Sequence, residues 1–105
     1  MMTLAEAAAE LDIEASAIAK ALAEGRCIGI VDSAGDLRLP IWQFEPTVWF
    51  EIELIGEQLG SVDGWTLLQF LEVPSASLEG ISPRMALERG VPRERVLAAA
   101  ASYAH

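Results

Sequence analysis

Residues 63–103 read DGWTLLQFLEVPSASLEGISPRMALERGVPRERVLAAAASY, an apolar stretch that prolines and glycines divide into short pieces. Asp63 can cap a helix, Ser82 followed by Pro83 has the pattern of a helix start, and Gly90 has that of a helix end. Helices are therefore predicted over Gly64–Leu71 and from Pro83 to Gly90, and a last helix is expected to follow Val91 and Pro92 and to run through Arg95 to Tyr103.

The segment before this stretch predicts a longer helix. Val48, Ile52, Ile55 and Leu59 recur at i, i+4, i+7 and i+11, which is the apolar face of a helix over Pro46–Leu59. Short helices cannot bury their apolar faces alone, so the C-terminal helices are expected to pack on this one. The candidate core residues are Leu68, Phe70, Leu71, Leu78, Met85, Leu87, Val96 and Leu97.

Two short helices are predicted at the N-terminal end. Thr3 and Glu6 have the spacing of a capping box, and the helix that they begin continues to Leu11. A second helix is expected over Ala15–Glu24, with Gly25 ending it. Two helices joined by so tight a turn have the layout of a helix-turn-helix, although a purely structural helical hairpin is the commoner interpretation.

A small β-hairpin is expected next, formed by residues 27–31 and 36–39 with Asp and Gly in the turn. The predicted fold is mainly α, with a helix-turn-helix-like pair and one short β-hairpin. Residues 1–44 hold the helix pair and the hairpin, and residues 45–105 form a helical unit. The two parts are expected to make one compact domain.

Size and composition are typical of one folded domain. The chain has 105 residues, of which 52% are hydrophobic and 22% charged, and disordered chains contain fewer apolar residues. No apolar run reaches the roughly 18 residues of a membrane span, and no basic and apolar leader opens the chain. The single cysteine, Cys27, excludes an internal disulfide framework, so the reducing cytoplasm is the expected compartment.

The charge balance bears on nucleic acid as a partner. The chain carries 16 acidic against 7 basic residues, a net charge of −9, and neither half offers a basic stripe to neutralise phosphates. DNA binding is therefore possible but disfavoured. If DNA is bound, Ser16, Lys20 and Arg26 are the residues on or after the second helix that could reach it.

The sequence offers little for catalysis. His105, the only histidine, is the last residue, and Cys27 begins an apolar strand, where a buried and inert thiol is expected. No glycine-rich phosphate loop and no metal-ligand spacing is present. We therefore expect no catalytic residues, no cofactor and no metal, and a protein that is not an enzyme.

Aromatic residues crowd into the middle of the chain: Trp42, Phe44, Trp49, Phe50 and Trp65. Trp49 and Phe50 are adjacent on the predicted helix and diverge by about 100°, so they cannot both face one core easily. One of them is expected to cover a second surface, which is either the hairpin or another subunit. The equal alternative is that the hairpin and residues 42–44 simply cover both.

Four motifs carry a resemblance to a known family: Trp65–Pro74, Leu78–Pro83, Ala86–Gly90 and Arg95–Leu97. Together they resemble the C-terminal domain of MbcA/ParS-type antitoxins, which partner the RES-domain toxins that degrade NAD. Residues 38–44, RLPIWQF, also look like a segment upstream of that domain in relatives. The N-terminal part differs, because it is shorter than the multi-helix Xre-type DNA-binding domain of those antitoxins.

The resemblance implies a protein that binds and occludes a RES-type toxin. In the resembled antitoxins the C-terminal region lies against the toxin and blocks the entry of substrate. The candidate partner-binding residues here are Arg93, Arg95, Ala99, Tyr103 and His105. An acidic protein also suits a toxin with a basic nucleotide-binding cleft. An Ala-rich terminal helix packed on its own domain is the ordinary alternative for this segment.

Two other functions stay open. The chain could be a DNA-binding transcriptional regulator whose C-terminal domain dimerises, or a stand-alone protein-interaction domain with neither toxin nor operator. Whichever function holds, a homodimer is the default expectation for this chain.

Overall fold

The computed structural model describes residues 1–61 and 63–104. It confirms a mainly helical fold with one small antiparallel hairpin. The helices are α1 (Leu4–Leu11), α2 (Ala15–Ala23), α3 (Pro46–Trp49), α4 (Ile52–Leu59), α5 (Gly64–Glu72), α6 (Pro83–Glu88) and α7 (Arg93–Tyr103), with 3-10 turns over Ile41–Phe44 and Ala76–Leu78. The strands are β1 (Ile30–Val31) and β2 (Leu37–Arg38).

Local sequence signals place the first two helices as expected. The hydroxyl of Thr3 accepts from the Glu6 N–H, and the Glu6 carboxylate accepts from the Thr3 N–H, which completes the capping box. Asp12 adopts a left-handed conformation and ends α1, and α2 begins three residues later. The N-terminal core contains Ala7, Ile18, Ala21, Cys27 and Leu39.

The hairpin is shorter than the sequence predicts. Ile30 pairs with Arg38 and Val31 with Leu37, while Leu39 leaves β2 and pairs with Met2 in an isolated bridge. The hairpin therefore packs on the start of the chain and closes the N-terminal core from one side.

The long helix predicted over residues 46–59 is interrupted. At Phe50 and Glu51 the backbone tightens, the Glu51 N–H donates to the Val48 carbonyl three residues earlier, and a new helix starts at Ile52. Thr47 to Phe50 are β-branched or aromatic residues, which favour helix less than the residues of α4. The predicted apolar face survives the break, because its residues remain buried.

The C-terminal helices begin and end where the sequence signals predict. The Asp63 carboxylate caps α5 by accepting from the Thr66 N–H, and the Ser82 hydroxyl caps α6 by accepting from the Met85 N–H. Gly90 has a positive φ of 81° after α6, a conformation that favours glycine. The last helix begins at Arg93, directly after Pro92, and runs to Tyr103 as expected.

These helices enclose the main core together with α4. Its buried residues are Ile28, Val48, Ile52, Ile55, Leu59, Leu67, Phe70, Leu71, Leu78, Ala86, Leu87, Val96, Ala99 and Ala100, with Leu68 and Leu97 half-buried against them. The expectation for Met85 was wrong, because its side chain is 40% exposed on the outer face of α6. Pro83 and Ala86 occupy the inward face of that short helix instead.

The two cores are joined by close contacts. Trp49 is half-buried and packs against both cores, whereas Phe50 is 69% exposed. Of these two adjacent aromatics, Trp49 therefore covers the boundary between the cores and Phe50 points outward.

The backbones of two segments also meet closely. Gly64, the first residue of α5, lies so close to Gly29 that a Cβ on it would clash with the Gly29 carbonyl oxygen.

Candidate functional site

One continuous surface collects exposed apolar side chains from both halves of the chain. We call it the aromatic face; it consists of Met1, Ile41, Trp42, Trp65, Leu68 and Met85 around Arg84. Three shallow depressions lie on it, and each adjoins the other two: Trp42 lines the first and second, Glu72 the first and third, and Arg84 the second and third. Trp65 is 54% exposed and Ile41 is 53% exposed. Large apolar groups in contiguous exposure are typical of a binding surface.

Arg84 is held at the middle of this face. Its Nη1 donates to Glu72 at 2.9 Å, its Nε donates to Glu88 at 3.1 Å, and its guanidinium lies 4.8 Å from the centre of the Trp42 ring. The contact with the ring is a cation–π interaction. Because both carboxylates are on helices of the C-terminal unit, Arg84 fixes the Trp42 side chain to α5 and α6.

The rim of the aromatic face is acidic. Glu45 and Glu88 line the depression beside Trp42, and Glu72 lines the one beside Trp65. Arg84 neutralises at most one of these three carboxylates, so the face keeps a net negative charge.

A separate depression, which we call the C-terminal groove, lies between α5 and α7. It encloses about 290 Å³ and is lined by Phe70, Val73, Pro74, Ser75, Ala76, Ser77, Ala99, Ser102 and Tyr103. The ring of Tyr103 packs edge-on against Phe70 with centroids 5.4 Å apart, yet Tyr103 stays 48% exposed. The groove therefore presents the ring edge of Tyr103, at the end of the last helix, beside three serines, of which only Ser102 lies in that helix.

The predicted partner-binding residues fall into different environments. Arg93 donates from Nη2 to Glu51 at 2.8 Å, with its Nε 2.6 Å from the other oxygen of that carboxylate. Arg95 is held only loosely, because its nearest contacts are Glu79 at 3.9 Å and the Ser77 carbonyl at 3.5 Å. Arg95 is consequently the freer of the two cations to meet a partner.

Ala99 requires a correction. Its side chain is 5% exposed and belongs to the main core, because α7 turns Ala99 and Ala100 toward α4. What little of Ala99 is accessible lies at the wall of the C-terminal groove, so it offers no open face for a partner helix. Tyr103 is exposed as the partner-binding prediction requires, and His105 lies outside the described residues.

The N-terminal helix pair presents few cations. Ser16 and Lys20 are exposed one turn apart on α2, and Arg26 follows the helix in an ion pair with Glu24. Of the two cations, Arg26 is thus paired with a carboxylate, and no ion pair of Lys20 is seen within the part of the chain that the structure describes. The assignment of a DNA-binding role to them stays a prediction.

An acidic groove lies beside this end of α2. It is lined by Glu24, Glu53 and Glu57, together with glycines at the C-terminal ends of α2 and α4. Helix C-termini carry partial negative charge, so this groove adds to the acidity of the carboxylates.

Two observations concern the thiol of Cys27 and the grouping of potential metal ligands. Cys27 is buried, and burial raises the pKa of its thiol to about 12, so the reactive thiolate is scarce at neutral pH. Among residues 1–61 and 63–104, no three His, Cys, Asp or Glu side chains converge to hold a metal ion. Within the same ranges no helix is both long and apolar enough to cross a membrane.

Sequence reasoning noted Trp42 and Trp65 but missed Ile41, Arg84 and Met85 as their companions. The i, i+4 spacing of Arg84 and Glu88 is a local signal that could have indicated their ion pair. The approach of Trp42 to Arg84 joins residues 42 positions apart and has no local signal.

Comparison with protein-family models, with curated protein sequences and with solved structures finds no match for this chain.

Proposed function

We propose that this chain is an antitoxin-like protein that binds and occludes a RES-type, NAD-degrading toxin without catalysing a reaction itself. The proposal starts from the resemblance of residues 65–100 to the C-terminal domain of MbcA/ParS-type antitoxins. The helix starts and ends on which that resemblance depends are the actual ends of α5 and α6.

The observation that carries the proposal is the exposed aromatic edge of Tyr103 beside the C-terminal groove. Tyrosine is common among the residues that dominate binding energy at protein interfaces, since it buries a large rigid surface and adds one hydroxyl. The resemblance implies toxin contact through the C-terminal region, and residues of that region line the groove. Serine hydroxyls at its edge can bind polar groups of a partner.

Electrostatics favours the same kind of partner. A toxin that binds NAD needs cationic groups for the two phosphates, and a chain with a net charge of −9 is attracted to such a cleft. Opposite charge accelerates encounter and disfavours other acidic proteins.

The test is binding and inhibition with a purified RES-type toxin. We expect a stable complex in size-exclusion chromatography, and NAD consumption by the toxin should fall as the protein is added toward a one-to-one ratio. Separate peaks together with an unchanged rate of NAD consumption would contradict the proposal.

Variants locate the contact. Tyr103→Ala should weaken toxin binding at least tenfold, and Tyr103→Phe should weaken it less, because the ring is kept. Arg95→Ala should weaken binding without lowering the melting temperature, since Arg95 has only loose contacts within the chain. Phe50→Ala, which removes an exposed aromatic outside the groove, serves as the control. Equal losses for Tyr103→Ala and Phe50→Ala would exclude the groove as the contact.

A further inference from the structure

The aromatic face is a second surface that the proposed function does not use. It shares no lining residue with the C-terminal groove, and it is built from the N-terminal residues Met1, Ile41 and Trp42 as well as from α5 and α6. An interaction at this face would therefore be independent of toxin binding at the tail.

The residue types on this face are those that dominate binding energy at interfaces. Tryptophan, methionine and arginine are enriched there, and here Trp42 packs against an arginine whose position is fixed by two carboxylates, with Trp65 in the adjoining depression. A fixed arginine and a stacked ring lose little conformational freedom on binding, so the face is preorganised. Four apolar residues of the face are 40% to 57% exposed, so that their surface is in contact with water in the free protein: Met1, Ile41, Trp65 and Met85.

Charge decides which partner fits. Glu45, Glu72 and Glu88 surround the apolar centre, and Arg84 already has two carboxylate partners, so an approaching surface meets uncompensated negative charge. A second copy of the chain would bring the same acidic rim and a further net charge of −9. Anionic lipid would be repelled for the same reason.

We propose that the aromatic face binds a cationic amphipathic segment of another protein, with apolar side chains against Trp42 and Trp65 and lysines or arginines against the glutamates of the rim. The apolar anchors supply most of the affinity, and the charges supply orientation and speed of association. Binding is therefore weakened by salt but not abolished by it, because the apolar contact persists when the charges are screened.

The probe is a helical peptide of leucines and lysines, with leucines at i, i+3, i+4 and i+7, and the same peptide with glutamate for lysine is its matched opposite. The readout is the indole N–H resonances of the ¹⁵N-labelled full chain, which has three tryptophans. We expect the lysine peptide to shift Trp42 and Trp65 in a saturable way. Trp49, half-buried between the cores, reports any general disturbance and should not move.

Variants of the face and matched controls complete the test. Trp65→Ala should weaken the lysine peptide at least tenfold, and Phe50→Ala should change its affinity less than twofold. The double variant with Glu45→Gln and Glu88→Gln should bind the lysine peptide several-fold more weakly, and its affinity for the peptide should depend less on salt. The pair Glu10→Gln and Glu94→Gln makes the same change in net charge at residues that do not line the face, and should have little effect.

Several outcomes would overturn the proposal. Equal binding of the glutamate peptide would remove the charge argument, and equal weakening by both pairs of glutamine variants would reduce the effect to net charge. Peptide-induced shifts confined to the amides of Gly25, Gly56 and Gly60 would place binding in the acidic groove. Trp65 shifts that change on dilution of the protein alone would identify a second copy as the occupant.

Discussion

At the scale of single residues, Gln43 joins the hairpin region to the rest of the molecule through hydrogen bonds. Its side chain is fully buried, its Oε1 accepts from the Ile28 N–H at 2.7 Å, and its Nε2 donates to the Ile28 carbonyl at 2.8 Å. The amide thus satisfies both backbone groups of a residue that has no sheet partner at that position. Few other side chains carry a donor and an acceptor in this arrangement.

Replacing Gln43 should expose how much these bonds contribute. Gln43→Leu leaves the buried Ile28 N–H without a partner and leaves the Ile28 carbonyl with only the weak bond from the Cys27 thiol at 3.8 Å. The free energy of unfolding should therefore fall by about 2–4 kcal/mol. Urea denaturation followed by circular dichroism measures this change. A loss below about 0.5 kcal/mol would mean that water replaces the amide.

Gln43→Glu makes the same position sensitive to pH. The ionised carboxylate would face the Ile28 carbonyl, so the folded-state pKa of this glutamate should be raised above its unfolded value of about 4.3. Relative to the parent chain, the variant should be destabilised at pH 7 and recover as the pH falls below that raised pKa, where the protonated acid can donate to the carbonyl. A stability difference that does not change between pH 7 and pH 4 would contradict this.

Asp32 in the hairpin turn has a lowered pKa. Its carboxylate accepts from the Asp36 N–H at 3.0 Å, from Arg38 Nε at 3.1 Å and from the Ala34 N–H at 2.9 Å, and the bond from Asp36 is the largest cause. Since folding lowers this pKa, the carboxylate stabilises the fold above pH 4 and loses that contribution as the pH falls through the folded-state pKa. Carbon-detected NMR should give a titration midpoint below the usual aspartate value, and Arg38→Gln should raise it. An unchanged midpoint in Arg38→Gln would limit the cause to the backbone bonds.

At the scale of elements, capping residues nearby in the sequence determine where a helix begins and ends, whereas close backbone contacts determine how two elements pack. The start of α5 illustrates such a backbone contact, because Gly64 meets the backbone of Gly29 just before β1. Glycine is required there by space, since its φ is not in the positive region. The contact lets α5 lie directly against the hairpin and brings Trp65 near Trp42 in one depression.

Gly64→Ala should separate these two elements. The new methyl group would clash with a backbone carbonyl, which cannot move as a side chain can, so unfolding should become easier by about 1–3 kcal/mol or more. Gly29→Ala is the matched comparison, because its methyl would first meet the flexible Leu22 side chain at 2.7 Å. Thermal denaturation should rank Gly64→Ala as the more damaging of the two. The reverse order would mean that the α5 start shifts to accommodate the methyl group.

At the scale of the whole molecule, two apolar cores share one boundary. Trp49 packs against both, and it sits at the break between α3 and α4, where the chain changes direction from one core to the other. The Glu51–Arg93 ion pair next to this break connects α7 to the same region across 42 positions of sequence. These contacts predict that the cores unfold together.

Cys27 offers a test of this cooperativity, because it is buried in the N-terminal core. The free energy of opening from its reaction with a thiol reagent should equal the free energy of global unfolding from urea denaturation. Trp49→Ala should lower both by a similar amount, about 3 kcal/mol. A thiol that becomes reactive at a much lower free energy than global unfolding would mean that the N-terminal core opens alone.

The sequence by itself determined the mainly helical class and the helix ends that carry a local capping signal, but not the break between α3 and α4. Thr3 with Glu6, Asp63, Ser82 with Pro83 and Gly90 act within three or four residues, so their spacing is sufficient to locate the ends. Tertiary structure decided which apolar residues face outward. In α5 apolar side chains lie nearly all round the helix, so periodicity cannot select Leu67 and Leu71 for the core and Trp65 for the surface. The meeting of Trp42 with Arg84 and of Gln43 with Ile28 likewise depends on chain segments far apart in sequence, which are brought together only when both cores form.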